Sequence, residues 1–157
     1  EEALLADKKI VIFSQYLGMV KIIKEYCDDK NINAVTLTGS TQNRGKVIQS
    51  FQTDPNIKIF IGSLLAGGMG IDLTSASVVV HYDRWWNASK ENQATDRVHR
   101  IGQKNFVQVF KIVTKGTLEE KIDRLISKKS DLFSRFLEKD EEIFKSLGRK
   151  EMIDLLQ

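Results

Sequence analysis

Residues 10–13 read Ile-Val-Ile-Phe, an unbroken apolar run between Lys9 and Ser14. Such a run has no polar side to turn to water. It suits a strand covered on both faces, as in a parallel sheet. The pattern recurs along the chain. Residues 34–38 (AVTLT), 57–61 (IKIFI) and 78–82 (VVVHY) read as further strands, and 106–113 (FVQVFKIV), which alternates more, as a fifth toward an edge. Helical stripes separate them: Leu17, Val20, Ile23 and Cys27, then Val47, Ile48 and Phe51, after which Asp54-Pro55 turns the chain. Strands alternating with helices imply right-handed crossovers and an open α/β sheet, mainly parallel, with helices on both faces.

Thr117 opens a long helix, with Glu120 placed to complete a capping box. Leu118, Ile122, Leu125, Ile126, Leu132, Phe133, Phe136 and Leu137 recur at helical intervals. Glu119, Glu120 and Asp123 lie early in it and Lys128 and Lys129 late, the arrangement the helix dipole favours. Residues 140–156 read as a further helical segment, broken at Gly148.

At 157 residues the chain is long enough for one domain with a real core. A formal net charge of +3 permits a local nucleic-acid patch without demanding one. The single Cys27 excludes an internal disulfide and reads as core. With only His81 and His99 besides, no zinc site is credible. The start of the chain (EEALLADKK) does not read as a signal peptide, and an intracellular protein is expected.

In an open α/β sheet, ligands gather beyond the carboxyl ends of the strands. Those ends carry Ser14-Gln15, Gly39-Ser40-Thr41, Gly62-Ser63 and Asp83. Small hydroxyls and glycines let backbone N–H groups approach an anion. Each alone is also ordinary turn chemistry. Residues 93–103 (QATDRVHRIGQ) add charge. On a helix, Gln93, Arg97 and Arg100 would share one face, and Ala94, Val98 and Ile101 another, with Gly102 ending the helix. Two arginine forks on a core-docked helix are suited to gripping phosphate. The plainer reading is a surface helix with solvated arginines.

What is missing narrows the choice. Gly67, Gly68 and Gly70 mark a tight or closely approached backbone, but Leu73 stands where a dinucleotide fingerprint needs its third glycine. Gly45-Lys46-Val47 fails as a triphosphate-binding loop at its third residue. The chain thus lacks the cradle for a nucleotide triphosphate yet has arginines suited to completing a site held elsewhere. Trp85 and Trp86 are neighbours and point opposite ways in extended backbone: both can pack in the core, or one can pack while the other, beside Arg84, is presented to a nucleic acid.

IVIFSQY, LTGST with Arg44 and Phe51, AGGMGIDLTSAS, YDRWWN and QATDRVHRIGQ follow one another in the order and spacing of a known family. From Lys9 to Phe136 the chain resembles the second motor lobe of Swi/Snf-type superfamily 2 DNA translocases. VTKGTLEEKI resembles the family's brace segment. The resemblance implies a RecA-like helicase C-terminal lobe over 1–114 and a helical brace over 115–157. It implies an ATP hydrolase whose ATP and Mg are bound mainly by a first lobe preceding Glu1, and an isolated fragment without turnover. Arg97 and Arg100 match arginine fingers reaching the γ-phosphate, and Gln93 the glutamine that leads the motif. Gly70 and Asp72 match positions near the nucleotide ribose and the interlobe coupling path. Gly39, Ser40 and Thr41, with Ser63 and Gly67, match positions along the phosphates of one DNA strand. Trp86 matches a tryptophan that touches DNA and couples hydrolysis to movement. Implied partners are the N-terminal RecA-like lobe, double-stranded DNA and a protein–DNA complex as substrate.

Leu65 stands where the family usually has Lys, Asp72 where Asn is common, and Ala88 where Pro is usual. Two other functions fit the same residues: a lobe-like module that binds DNA or protein without a motor, and an RNA helicase lobe, which Asp72 favours slightly.

Overall fold

The computed structural model describes residues 2–63, 71–85 and 87–138. In chain order the elements are α1 (Glu2–Leu5), β1 (Ile10–Ser14), α2 (Leu17–Asp29), β2 (Ala34–Leu37), α3 (Arg44–Thr53), β3 (Ile59–Ser63), β4 (Val78–His81), α4 (Ala88–Thr95), β5 (Gln108–Lys111) and α5 (Leu118–Glu138). The strands form one sheet in the order β2-β3-β1-β4-β5. All four pairings are parallel.

The apolar runs explain the packing. Alternate residues of a strand point to opposite faces. Val11, Phe13, Val35, Leu37, Phe60 and Val79 face one side, where Phe51 of α3, Ala94 of α4 and Val98 close a core with Leu73 and Ala76. Ile10, Ile12, Ala34, Ile59, Ile61, Val78 and Val80 face the other, covered by Val20, Ile23 and Cys27 of α2 and by Ala3 and Leu4 of α1. Helices therefore lie on both faces, as expected. Cys27 is buried, and burial pushes its thiol up.

The central strands β1 and β3 run level, Ile10 beside Ile59 and Ser14 beside Ser63. This brings two serines together at the carboxyl edge. β3 begins two residues later than its apolar pattern, because the Ile57 N–H still closes the turn onto the Asp54 carbonyl at 3.3 Å. β5 is an edge strand, as is β2, and all four residues of β5 are exposed. α1 had no sequence signal. Leu17, placed by its spacing in the buried stripe of α2, instead lies exposed at the helix start.

The capping at α5 is close to expectation but shifted. The Thr117 hydroxyl accepts from the Glu119 N–H at 3.3 Å. Glu120 reaches the Gly116 N–H at 2.9 Å rather than that of Thr117. The segment expected over 140–156 lies outside the described residues.

Candidate functional site

The carboxyl edge of the sheet is stitched together by side chains. The Ser14 hydroxyl donates to Asp83 Oδ2, and the Gln15 N–H donates to Asp83 Oδ1 at 3.1 Å. Ser14, Ser63 and Asp83 are all buried, so this edge is a floor rather than an open row of hydroxyls.

Beyond β2, the segment 38–41 folds back on itself. The Thr38 N–H donates to Thr41 Oγ1 at 2.8 Å, and the Thr41 N–H returns to the Thr38 carbonyl at 3.2 Å. Arg44 Nη2 holds the carbonyls of Thr38 at 3.3 Å and Gly39 at 3.2 Å from below. Gly39 and Ser40 are left exposed at the tip and Thr41 half-buried beside them. Gly67, Gly70 and Trp86 lie outside the described residues. Asp72 is exposed; its Oδ1 accepts the Thr74 N–H at 3.0 Å and its carbonyl accepts Gln52 Nε2 at 2.8 Å. Gln52 also accepts the Ser75 N–H at 2.9 Å, so one α3 side chain fixes this turn at two points.

The arginine segment departs from the expected helix over 93–103. α4 ends at Thr95, and Arg97 and Arg100 lie in the turns that follow. In a continued helix the Arg97 carbonyl would accept from residue 101. It accepts instead from the Leu73 N–H at 3.0 Å. The Val98 carbonyl accepts from Gln103 Nε2 at 3.2 Å, and the same amide reaches the carbonyls of Ala76 at 2.7 Å and Thr74 at 3.1 Å. Tertiary acceptors and donors have displaced the helical ladder. Gly102 then takes φ +105, which only glycine adopts freely. Ala94 and Val98 dock on the core as expected, but Ile101 does not: it is fully exposed.

The result is an irregular segment clamped at both ends with two guanidiniums on it. Arg97 is half-buried, and its Nε is buried with no hydrogen-bond partner among the described residues. Arg100 and Gln93 are exposed. Buried donors are normally satisfied; Arg97 Nε shares its lack of a partner among the described residues with Arg84 Nε.

Arg84, read as a companion of the presented tryptophan, is placed otherwise. It is 3% exposed and paired with Glu91 at 2.6 Å and Asp123 at 2.9 Å. It therefore faces no nucleic acid. Trp85 packs against the core, and its N–H donates to Glu91 Oε1 at 2.9 Å. His81, at the end of β4, is fully enclosed and stacked on Phe13 with centroids 5.8 Å apart. Burial outweighs the nearby Glu91 charge and lowers its pKa to about 4, so it is neutral at pH 7. Its Nε2 pairs with Thr95 Oγ1 at 2.9 Å. Gln52, Glu91, Gln103 and His81 carry this arrangement, yet their sequence neighbourhoods gave no sign of their partners.

Comparison with known proteins identifies the family of the fold. Residues 2–102 match the helicase conserved C-terminal domain, a range that includes both arginines. The ATP-dependent helicase MG018 of Mycoplasma genitalium is 39% identical over 99% of this chain, which spans 15% of that relative's length. The chromatin-remodeling ATPase INO80 of Candida albicans is 42% identical over 79% of this chain and 9% of its own length. The Sulfolobus solfataricus SWI2/SNF2 ATPase core domain superposes with a TM-score of 0.70 at 41% identity, covering 98% of this chain and 32% of that one. The five-stranded parallel sheet with its arginine segment thus belongs to the helicase conserved C-terminal domain family, as a RecA-like lobe homologous to the C-terminal domains of Swi2/Snf2 ATPases.

Proposed function

We propose that this chain is the second motor lobe of an intracellular, duplex-DNA-dependent ATPase that translocates along DNA and remodels protein–DNA complexes. The observation that carries the reading is Arg97: a guanidinium on a core-clamped segment, with a buried Nε that has no partner among the described residues. Arg100 follows on the same segment, open to solvent. A fixed cationic pair suits an anion brought by another lobe, and the chain has no triphosphate cradle of its own.

In this reading ATP with magnesium is held mainly by the N-terminal RecA-like lobe. Closure of the two lobes brings Arg97 and Arg100 to the γ-phosphate, with Gln93 beside them on α4. As water attacks, charge spreads over the equatorial phosphoryl oxygens. Arginines placed there in advance stabilise it, an effect worth roughly 10³–10⁵ in rate in related phosphoryl transfers. Asp72 and Gly70 serve the nucleotide ribose and the coupling between lobes. The 38–41 tip, with Gly39, Ser40 and Thr41, follows one strand's phosphates, and Ser63 and Gly67 contact the same strand. Trp86 couples hydrolysis to movement. Contacts to phosphate make the grip salt-sensitive and only weakly selective for sequence. Residues 1–114 form the lobe, and 115–157 a brace that packs back on the motor.

Arg100→Ala in the intact ATPase tests this. Turnover is expected to fall by about 10³ or more, with duplex affinity changed by less than about twofold. A parallel loss of DNA binding would overturn the finger assignment.

A further inference from the structure

Four elements meet at Arg84. Its Nη1 donates to Glu91 Oε2 on α4 at 2.6 Å, and its Nη2 pairs with Asp123 Oδ1 on α5 at 2.9 Å. Lys111 of β5 reaches the same Glu91 oxygen at 3.1 Å. The Arg84 carbonyl accepts Gln15 Nε2, just past β1, at 3.2 Å. One planar fork therefore spans two helices with its two nitrogens, a task to which a lysine ammonium is unsuited.

Two cations, Arg84 and Lys111, face Glu91 and Asp123, and Glu119 of α5 also lies in the field of Arg84. Apolar side chains of similar volume commonly replace a buried ion pair without loss of stability, so what the ions contribute here is a fixed angle between elements. The two ends of the fork differ. Glu91 is fully buried, whereas the Asp123 side chain is 39% exposed. Asp123 can leave and be solvated; Glu91 cannot. The α5 end is thus the detachable one. On the other side α4 runs directly into the turns bearing Arg97 and Arg100.

We propose that Arg84 is a positioning residue through which the placement of α5 is transmitted to α4 and to the arginine segment that follows it. The inference rests on the reading of Arg97 and Arg100 as groups that touch the reacting phosphate. When α5 is docked, Asp123 fixes the fork and the fork fixes Glu91. When α5 moves away, the fork has one anchor left, and the start of α4 can turn with it.

The test compares Asp123→Ala, Asp123→Glu and Arg100→Ala in the intact DNA-stimulated ATPase, well below its melting temperature. Steady-state hydrolysis gives kcat and KM for ATP, and amide hydrogen exchange reports on residues 88–101. Asp123→Ala is expected to lower kcat about tenfold or more, in line with the cost of small misplacements of catalytic groups. KM should stay within about twofold, and exchange should quicken over 88–101 but not in β1 or β3. Asp123→Glu should restore most of both effects. Wild-type exchange and kcat in Asp123→Ala would overturn the proposal. Faster exchange with unchanged kcat, while Arg100→Ala still stops turnover, would overturn the coupling and leave the finger reading standing. Full turnover in Arg100→Ala would overturn the finger reading, and with it the catalytic half of the inference.

Discussion

Glu91→Gln keeps the shape of a buried side chain and removes its charge. In the native arrangement Oε2 lies between Arg84 Nη1 at 2.6 Å and Lys111 Nζ at 3.1 Å, while Oε1 accepts the Trp85 N–H at 2.9 Å. A carboxamide has one acceptor oxygen for these three donors. Turned toward the cations, its NH2 meets the Trp85 N–H; turned the other way, it meets the guanidinium. Removing one partner of a buried pair costs about 3–5 kcal/mol. A domain of this size melts about 2–4 °C lower for each kcal/mol lost, so the midpoint should fall by about 6–20 °C. Urea denaturation followed by tryptophan fluorescence measures the loss directly. The double variant Arg84→Met with Glu91→Met should recover most of it, since no buried charge is then left alone. A cost below about 1 kcal/mol for Glu91→Gln is what a surface bridge would give, and would refute the view that this pair is sealed from water.

Three further outcomes are expected. His81 has its pKa lowered to about 4 by burial, so the unfolded chain takes up a proton near pH 6.5 that the folded chain refuses. Its contribution is therefore intact above about pH 6.5 and lost as pH falls toward 4, by about 3 kcal/mol in all; His81→Asn should flatten the stability profile across that window in urea titrations. Gly102→Ala meets no atom within 4 Å but must hold φ +105, at a cost of about 1–3 kcal/mol, read as a lower urea midpoint. The isolated chain should hydrolyse no ATP in a phosphate-release assay with or without duplex DNA, and measurable turnover would contradict its role as a completing lobe.

The sheet was legible because its signal is local. Runs such as residues 10–13 and 59–61 leave no polar face, so burial on both sides follows from composition alone. The edge character of β5 was legible for the converse reason, its alternation with polar residues. The end of α4 was not. Residues 96–101 follow α4 with no Gly or Pro to stop it, and Ala94 and Val98 keep a helical spacing. Their ladder is broken by the Leu73 N–H and the Gln103 amide, partners that local pattern does not specify. Arg84 was misplaced in the same way. A charged residue beside two tryptophans reads as surface until Glu91 and Asp123 are known to converge on it. Arg97 and Arg100 could be picked out by type and by family resemblance; the orphaned Nε of Arg97 could only come from packing.

Gln103 has one amide group set among the carbonyls of Thr74, Ala76 and Val98. Two hydrogens serve three acceptors, so sharing is built in, and all the partners are neutral. The anchorage of the arginine segment is accordingly indifferent to ionic strength, whereas a grip on DNA phosphates weakens steeply as salt rises. On the proposed function, salt would then act as a clutch: it would disengage the lobe from DNA while leaving the segment that carries Arg97 and Arg100 assembled. Hydrolytic ageing of that one amide to a carboxylate would do the reverse, setting a negative charge against carbonyl oxygens and loosening the arginine segment while the tip at 38–41 stays whole.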